Sequence, residues 1–106
     1  MIDFSGNTSG TFNSQFGGEL PKMITAFTLV NKTAGTIGVN VYKFGNTPNP
    51  ICIMPLNKQL ASGEIYQTDI QTILLPTENI RIHTSGSLDY VFVVANLQLD
   101  ESADLL

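Results

Sequence analysis

His83 and Cys52 are the residues whose types could support catalysis or metal binding. They are the one histidine and the one cysteine among 106 residues. Zinc sites use three or four nitrogen or sulfur ligands, so this pair cannot complete one. His83 could act as a base in a Ser-His-Asp arrangement, but the nucleophile-elbow pattern G-x-S-x-G does not occur. The sequence therefore predicts a protein that is not an enzyme, with no catalytic residue, metal ligand or cofactor.

Cys52 is flanked by isoleucines in the segment Pro50-Ile-Cys-Ile-Met-Pro55. A nucleophilic thiol needs a nearby base or a helix N-terminus, and the local sequence offers neither. We therefore predict a buried structural thiol. Because one cysteine cannot form an internal disulfide, the sequence indicates a fold held by packing and made in a reducing compartment.

Carbohydrate recognition is the one ligand chemistry that the aromatic residues could provide. Sugar-binding modules present flat aromatic platforms, often tryptophan, and this chain has no Trp and three Tyr. The candidates for such a surface are Tyr42, Phe44 and Tyr66, with the loop of residues 45–50 beside them. Ordinary aromatic residues of β-strands are the alternative interpretation.

The elements that must position these residues are strands. Ten Ile, six Val and eleven Thr make 27 β-branched residues, a type that suits a pleated sheet better than a helix. Turn residues recur every eight to twelve positions, which is typical of a small β-sandwich or jelly roll. The predicted strands lie near 23–31, 36–44, 51–54, 56–60, 64–68, 71–75, 80–84 and 88–98. The fold class is therefore all-β, a single small sandwich of about eight strands.

Two strands and their turns give sharper predictions. Both faces of the last strand are apolar, so we expect it to be central and covered twice. The segment of residues 31–35 should close a hairpin, with Gly35 free to take a positive φ.

The segments Leu60-Ala-Ser-Gly-Glu-Ile65 and Leu75-Pro-Thr-Glu-Asn-Ile80 share the pattern L-x-[ST]-x-x-I. This echo indicates a recurrent turn geometry, since two copies are too few for a repeat architecture.

The chain divides into three regions. Residues 1–22 are rich in glycine and predict a flexible N-terminal arm, residues 23–99 form the sandwich domain, and residues 100–106 form an acidic tail. Three phenylalanines lie in the arm: Phe4, Phe12 and Phe16. Either these rings fold back onto the domain, or they anchor the arm on a partner surface. The sequence leaves both interpretations open.

Composition excludes several classes of function. The net charge is −4, the pI is near 4.6 and no basic block occurs, which argues against nucleic-acid binding. The apolar runs are too short to span a bilayer, and the first twenty residues lack a secretory signal pattern. A mean hydropathy of +0.13 in so small a domain favours self-association or a large partner.

Three segments resemble small structural proteins of tailed-bacteriophage virions. The segment Phe27-Thr-Leu-Val-Asn-Lys-Thr-Ala-Gly-Thr-Ile-Gly-Val-Asn-Val-Tyr42 is similar to their opening pair of strands, with the pattern N-[KT]-T-x-G-T between them. Leu60-Ala-Ser-Gly-Glu-Ile-Tyr66 is similar to their L-x-x-G-[ED]-x-Y segment. Ile80-Arg-Ile-His-Thr-Ser-Gly-Ser-Leu-Asp-Tyr90 is similar to their I-x-[IV]-x-[TS]-S-G-x-[LV]-D-Y segment. The resemblance covers residues 24–97.

The resemblance implies a non-enzymatic virion structural protein with a β-sandwich or jelly-roll fold, assembled in the host cytoplasm. It implies a capsid auxiliary or decoration subunit that docks on the major capsid lattice, or a head-fibre or tail-associated component. The expected partners are the major capsid protein or another virion protein, and further copies of this chain. Phe4, Phe12 and Phe16 are the predicted anchors. The alternative is a carbohydrate- or receptor-binding module of a head fibre or tail.

Overall fold

In a computed structural model of the protein, residues 2–14, 21–45 and 51–96 are described. They form seven antiparallel strands: β1 (Ile2–Ser14), β2 (Lys22–Asn31), β3 (Ile37–Phe44), β4 (Ile51–Cys52), β5 (Lys58–Leu60), β6 (Ile65–Leu74) and β7 (Asn79–Asn96). The prediction of an all-β fold is confirmed, and the curled sheet has the form of a small sandwich or jelly roll. Within these ranges no helix is long and apolar enough to cross a membrane.

β7 is the central strand, as predicted. β1 runs along one edge of it, from the pair Ile2 and Val94 to the pair Ser14 and Ile80. On its other edge, residues 79–84 pair with β3 and residues 88–96 pair with β2. β6 extends the sheet beyond β2, and β4 and β5 both pair with β3. The sheet therefore has two halves that share β7 and contribute to one core.

A bulge replaces the turn that the sequence predicted at residues 85–87. Gly10 pairs with Thr84 and Thr8 pairs with Leu88, so three residues of β7 stand opposite the single residue Ser9. Such a bulge bends a strand without reversing it. Because β1 continues beside both halves, the predicted strands 80–84 and 88–98 are one strand, β7.

A second irregularity joins the predicted strands 64–68 and 71–75 into β6. Ile24 pairs with Thr72 and Ala26 pairs with Asp69, so the ladder shifts at Thr25. The same shift occurs against β7, where Thr25 is the extra residue. The shift places Ile24 on the same buried face as Phe27, Leu29 and Asn31.

The core lies on one face of the sheet. Its fully buried side chains are Phe27, Phe92, Ile24, Leu29, Leu60, Leu74, Ile80, Ile82, Leu88, Val39, Val41 and Val94. The opposite face of β7 was predicted to be covered as well, and here the structure differs, since Val91 is 40% exposed. A curled sheet of this size provides one interior, so the second apolar row remains on the outside.

The N-terminal segment differs from the predicted flexible arm over the described residues. Ile2–Ser14 form β1, which is paired along β7 instead of extending freely. Phe4 and Phe12 pack against the core, so the interpretation that these rings fold back is the one the structure supports. Unpaired β7 would otherwise leave a row of backbone groups without partners, and β1 satisfies them. Phe16 and the tail of residues 100–106 lie outside the described residues.

Two turns are closed by the same pair of glutamate hydrogen bonds, but their backbones differ, since Gly63 takes a φ of +74° and Thr77 takes no positive φ. The Glu64 carboxylate accepts a hydrogen bond of 2.8 Å from the backbone N–H of Ala61, and Glu64 N–H donates to Ala61 O at 2.9 Å. Glu78 makes the same two bonds with Leu75, at 2.9 and 2.8 Å. The glutamate side chain therefore closes both turns, with or without a glycine before it.

The connection between β2 and β3 is organised by Asn31. Its side-chain nitrogen donates to Gly35 O at 2.8 Å and to Leu60 O at 2.9 Å. Its side-chain oxygen accepts from the N–H and the hydroxyl of Thr33, at 2.8 and 2.6 Å. Gly35 does not take the positive φ that the sequence suggested. A buried side chain, not a glycine conformation, shapes this connection.

Gly45 ends β3 in a conformation that alanine would not tolerate. Its φ is +136°, and an added Cβ would lie 2.5 Å from Thr77 O. We expect Gly45→Ala to lower the free energy of unfolding by more than about 1 kcal/mol. Gly35→Ala is the matched control, because Gly35 has no positive φ and no atom within 4 Å of an added Cβ. Chemical denaturation that gave equal midpoints for the two variants would contradict this account of Gly45.

Candidate functional site

The outer face of the half of the sheet formed by β1, β7 and β3 carries polar residues beside two aromatic ones. Val39 and Val41 of β3 point into the core, so Tyr42 and Phe44 face outward. The register places Tyr42 opposite Arg81, and Arg81 opposite Asn13 of β1. Alternation along three strands thus builds one polar surface from residues that are distant in the sequence.

Arg81 is held at two points on this surface. Its Nε donates a hydrogen bond of 2.9 Å to Asn13 Oδ1. Its Cζ lies 4.3 Å from the centroid of the Phe44 ring, in a cation–π contact. Nε is occupied, so the terminal nitrogens of the guanidinium are the part available to a ligand. The side chain is fixed before any ligand arrives.

His83 and Thr11 lie in the next register row of the same face. His83 Nδ1 and the Thr11 hydroxyl are hydrogen-bonded at 2.9 Å. His83 shares the outer face with Arg81, while Ile80 and Ile82 are fully buried. Thr11, Tyr42, Arg81 and His83 line one shallow concavity, which we call the Arg81 cleft.

Arg81 differs from Lys32 and Lys43 in its charge environment. Lys43 lies 3.5 Å from the buried Glu78 carboxylate, and Lys32 lies 3.8 Å from that of Asp89. Lys58 Nζ lies over the Tyr66 ring, 5.7 Å from its centroid. Within the described part of the chain, no carboxylate forms an ion pair with Arg81. The cleft therefore carries a positive charge that no ion pair among the described residues neutralises.

The structure brings together two of the three residues predicted for a ligand surface. Tyr42 and Phe44 lie on the outer face of β3 beside Arg81. Tyr66 lies elsewhere, because it pairs with Leu29 on the core side of β6 and its ring contacts Phe27 at 6.1 Å. The predicted loop of residues 45–50 falls outside the described residues except for Gly45.

Arg81, Asn13 and Thr11 were not among the residues predicted for the ligand surface. The alternation around Ile80 and Ile82 was a usable signal for Arg81, since it placed Arg81 beside His83. No local signal marked Asn13 and Thr11, because their positions depend on the register between β1 and β7.

The predicted anchors Phe4 and Phe12 belong to an aromatic cluster. Their ring centroids are 5.9 Å apart, and they lie 5.4 and 5.2 Å from the Tyr90 ring. Burial raises the pKa of the Tyr90 hydroxyl above its ordinary value. Phe4 also contacts Phe92 at 6.1 Å. These two rings pack against other aromatic rings of the same chain. A docking role for them and for Phe16 stays a prediction.

The other candidate groups are dispersed. Cys52 is half-buried instead of fully buried, and its thiol donates to Met54 O at 3.1 Å. His83 bonds to Thr11, whereas Asp89 accepts a hydrogen bond of 2.7 Å from Asn7. Across residues 2–14, 21–45 and 51–96, no three His, Cys, Asp or Glu side chains are grouped to hold a metal ion.

Comparison with known proteins gives weak matches. No protein-family model and no curated protein matches the chain. Among solved structures, it is similar to one of infectious bursal disease virus Gt strain, with 15% identity over 90% of this chain and a TM-score of 0.43. It is also similar to one of the Gx strain, with 10% identity over 86% and a TM-score of 0.43. The chain spans 30% of the length of each matched chain. Likenesses at this level carry no argument about function.

The outer face of the other half of the sheet carries apolar residues among polar ones, because Thr28, Gln67 and Asp69 point outward with them. It is formed by outward residues of β2, β6 and β7, which register side by side. Three of them are well exposed: Ile65 at 61%, Ile73 at 45% and Val91 at 40%. We call this surface the outer apolar face, and its residues are Met23, Ala26, Val30, Ile65, Ile73, Val91 and Val93. Met23 pairs with Ile73 and Ala26 pairs with Val93, and neighbouring apolar residues left on the outside of a sheet favour an interaction surface.

Proposed function

We propose that this protein is a non-enzymatic structural subunit of a virion, and specifically a capsid auxiliary or decoration subunit. The observation that carries the proposal is the meeting of the three virion-like sequence segments at one end of the fold. Sequence resemblance alone treats them as separate turn patterns. Their contacts in space make them parts of one arrangement.

The contacts join the first segment to each of the other two. The first and second segments are linked by a hydrogen bond of 2.9 Å from Asn31 to Leu60 O and one of 2.7 Å from Ser62 to Thr33 O. The first and third segments are linked by a hydrogen bond of 2.9 Å from Lys32 N–H to Ser87 O. Gly86 also packs closely, since an added Cβ would lie 2.7 Å from Thr33 Cγ2.

These contacts give the shared residues a common structural purpose. The asparagine and threonine of the first segment, the glutamate turn of the second and the glycine of the third hold the same end of the sandwich. Residues that must fit one another are a more specific resemblance than three independent turns. This supports carrying the virion structural role to the present chain.

The outer apolar face is the surface that we propose docks on the major capsid lattice. Outside residues 100–106 the chain has five basic and six acidic residues, a net charge of −1. A nearly neutral body gains little from charge attraction, so burial of apolar surface is the available driving force. Ile65, Ile73 and Val91 are the residues with the most apolar area to bury on that lattice.

Occupancy on purified capsids tests the docking face. We expect Val91→Glu to abolish binding, because it places an unpaired charge in a buried apolar contact. Ala34→Glu is the matched control: it adds the same charge at an exposed position of the β2–β3 connection and should bind like the wild type. Equal occupancy of the two variants would exclude this face.

Mass spectrometry of virions purified from the source of the chain tests the role itself. Presence of the protein in the particle in many copies is the expected result, and its absence would overturn the proposal.

Deleting residues 1–20 does not test docking cleanly, because the deletion removes β1 from its pairing with β7. Phe16→Ala is the better variant for the anchor hypothesis, and reduced occupancy would support it.

A further inference from the structure

We propose that the Arg81 cleft binds a saccharide that carries one anionic substituent. This goes beyond a docking role, because the cleft and the outer apolar face lie on different halves of the sheet. The juxtaposition of a prepositioned guanidinium, an imidazole, a phenol and a hydroxyl in one concavity is the observation on which the inference rests.

Arg81 supplies the site for the anionic group. Arginine binds carboxylates and sulfates through parallel N–H donors. The contacts with Asn13 and Phe44 fix the side chain, so a ligand does not have to order it on binding. No carboxylate of the described residues competes for the guanidinium. A structural arginine of a sheet surface would more simply pair with an acid across the strands.

Tyr42, His83 and Thr11 supply the groups that suit a sugar ring. The bond between His83 Nδ1 and Thr11 leaves His83 Nε2 for a ligand hydroxyl. The Tyr42 side chain lies in the register row of Arg81 and offers both a ring and a hydroxyl. Aromatic rings pack against the C–H groups of sugars, while hydroxyl and imidazole groups bond to their oxygens.

The number and spacing of charges favour an acidic sugar over a polyanion. The chain has five basic residues, and Lys32 and Lys43 are already paired with carboxylates. Nucleic acids are bound through several phosphate contacts at once, which one fixed cation cannot provide. One charge beside hydroxyl and aromatic groups fits a ligand with one charge beside hydroxyl groups, such as a uronic acid, a sialic acid or a sulfated sugar.

Titration of the full-length chain, followed by NMR, tests the site. The probes are sialyllactose, a galacturonic acid disaccharide, a sulfated galactose, neutral lactose and inorganic sulfate. We expect the acidic sugars to shift the amide signals of Thr11, Tyr42, Arg81 and His83, with lactose and sulfate binding at least about tenfold more weakly. Preference between carboxylate and sulfate ester then identifies the source of the charge.

Arg81→Gln should weaken the acidic sugar by about tenfold or more, the loss expected for a charge-assisted hydrogen bond. Lys58→Gln is the matched control, since it removes the same charge outside the cleft and should leave the affinity unchanged. Arg81→Lys keeps the charge but loses the paired donors, so binding should still fall severalfold. Thermal unfolding verifies that each variant is folded.

Several results would overturn the proposal. They are equal weakening by Arg81→Gln and Lys58→Gln, binding of lactose or inorganic sulfate as tightly as the acidic sugars, and the absence of any shift at millimolar probe. None of these results bears on the virion role, which is tested by particle composition and capsid occupancy.

Discussion

Replacing Phe92 by alanine is expected to lower the free energy of unfolding by about 3–5 kcal/mol. The ring is fully buried in β7, and its centroid lies 5.1 Å from that of Phe27 and 6.1 Å from that of Phe4. Truncation removes apolar burial and leaves a cavity that the paired strands cannot close. Urea denaturation followed by far-UV circular dichroism measures the change.

Two further variants distinguish the loss of the buried Phe92 ring from a general effect of substitutions in β7. Val91→Ala changes the preceding residue of β7, which is 40% exposed on the opposite face. It should lower the free energy of unfolding by less than about 1 kcal/mol. Phe92→Leu retains most of the buried volume and should cost less than about 1.5 kcal/mol if the alanine variant does not fold. A stability of Phe92→Ala equal to that of Val91→Ala would mean that the core is not where the structure places it.

The sequence predicted those features of the fold that depend on alternation. Buried Val39 and Val41 and the central position of β7 follow from period-two patterns of apolar residues. The continuity of β7 through residues 85–87 was not predictable, because Ser85-Gly-Ser87 has turn chemistry whether it forms a turn or a bulge. Whether such residues reverse a chain or bend it depends on the neighbouring strand, and here β1 holds both halves of β7 in line.

The same reasoning explains what was missed at the candidate site. Tyr42 and Phe44 were identified from their own strand. Their relation to Arg81 and Asn13 depends on long-range register, which no local pattern specifies. Tyr66 was grouped with them by residue type alone, and the pairing of β6 with β2 places it on the core side.

The bend in β7 also divides its outer face into two surfaces of different chemistry. Before the bulge the outward residues include Arg81 and His83, and after it they include Asp89, Val91 and Val93. A single strand thus contributes to the Arg81 cleft and to the outer apolar face, which do not overlap. If the apolar face is buried on a lattice, the cleft stays accessible to a ligand, so the two proposed interactions are compatible.

Replacing Asn31 by alanine is expected to lower the free energy of unfolding by about 2–3 kcal/mol, although it removes no apolar side chain. Asn31 is 1% exposed, and its amide makes four hydrogen bonds. Truncation removes the side-chain partner of Leu60 O in the interior and of Thr33 N–H in the connection. A buried polar group left without a hydrogen-bond partner lowers the free energy of unfolding by more than a typical hydrogen bond adds to it.

Asn31→Asp distinguishes hydrogen bonding from packing, because it keeps the shape of the side chain. Aspartate still accepts from Thr33, but it turns a carboxylate oxygen toward Gly35 O and Leu60 O, where the amide donated. We expect this isosteric variant to be destabilised at neutral pH at least as much as Asn31→Ala. Thr33→Val removes the hydroxyl contacts with Asn31 Oδ1 and Gly35 O but keeps the bond from Thr33 N–H, so it should cost less than either. If Asn31→Asp were as stable as the wild type, donation to Leu60 would not hold the first and second segments together, and the shared arrangement that supports the virion role would lose part of its physical basis.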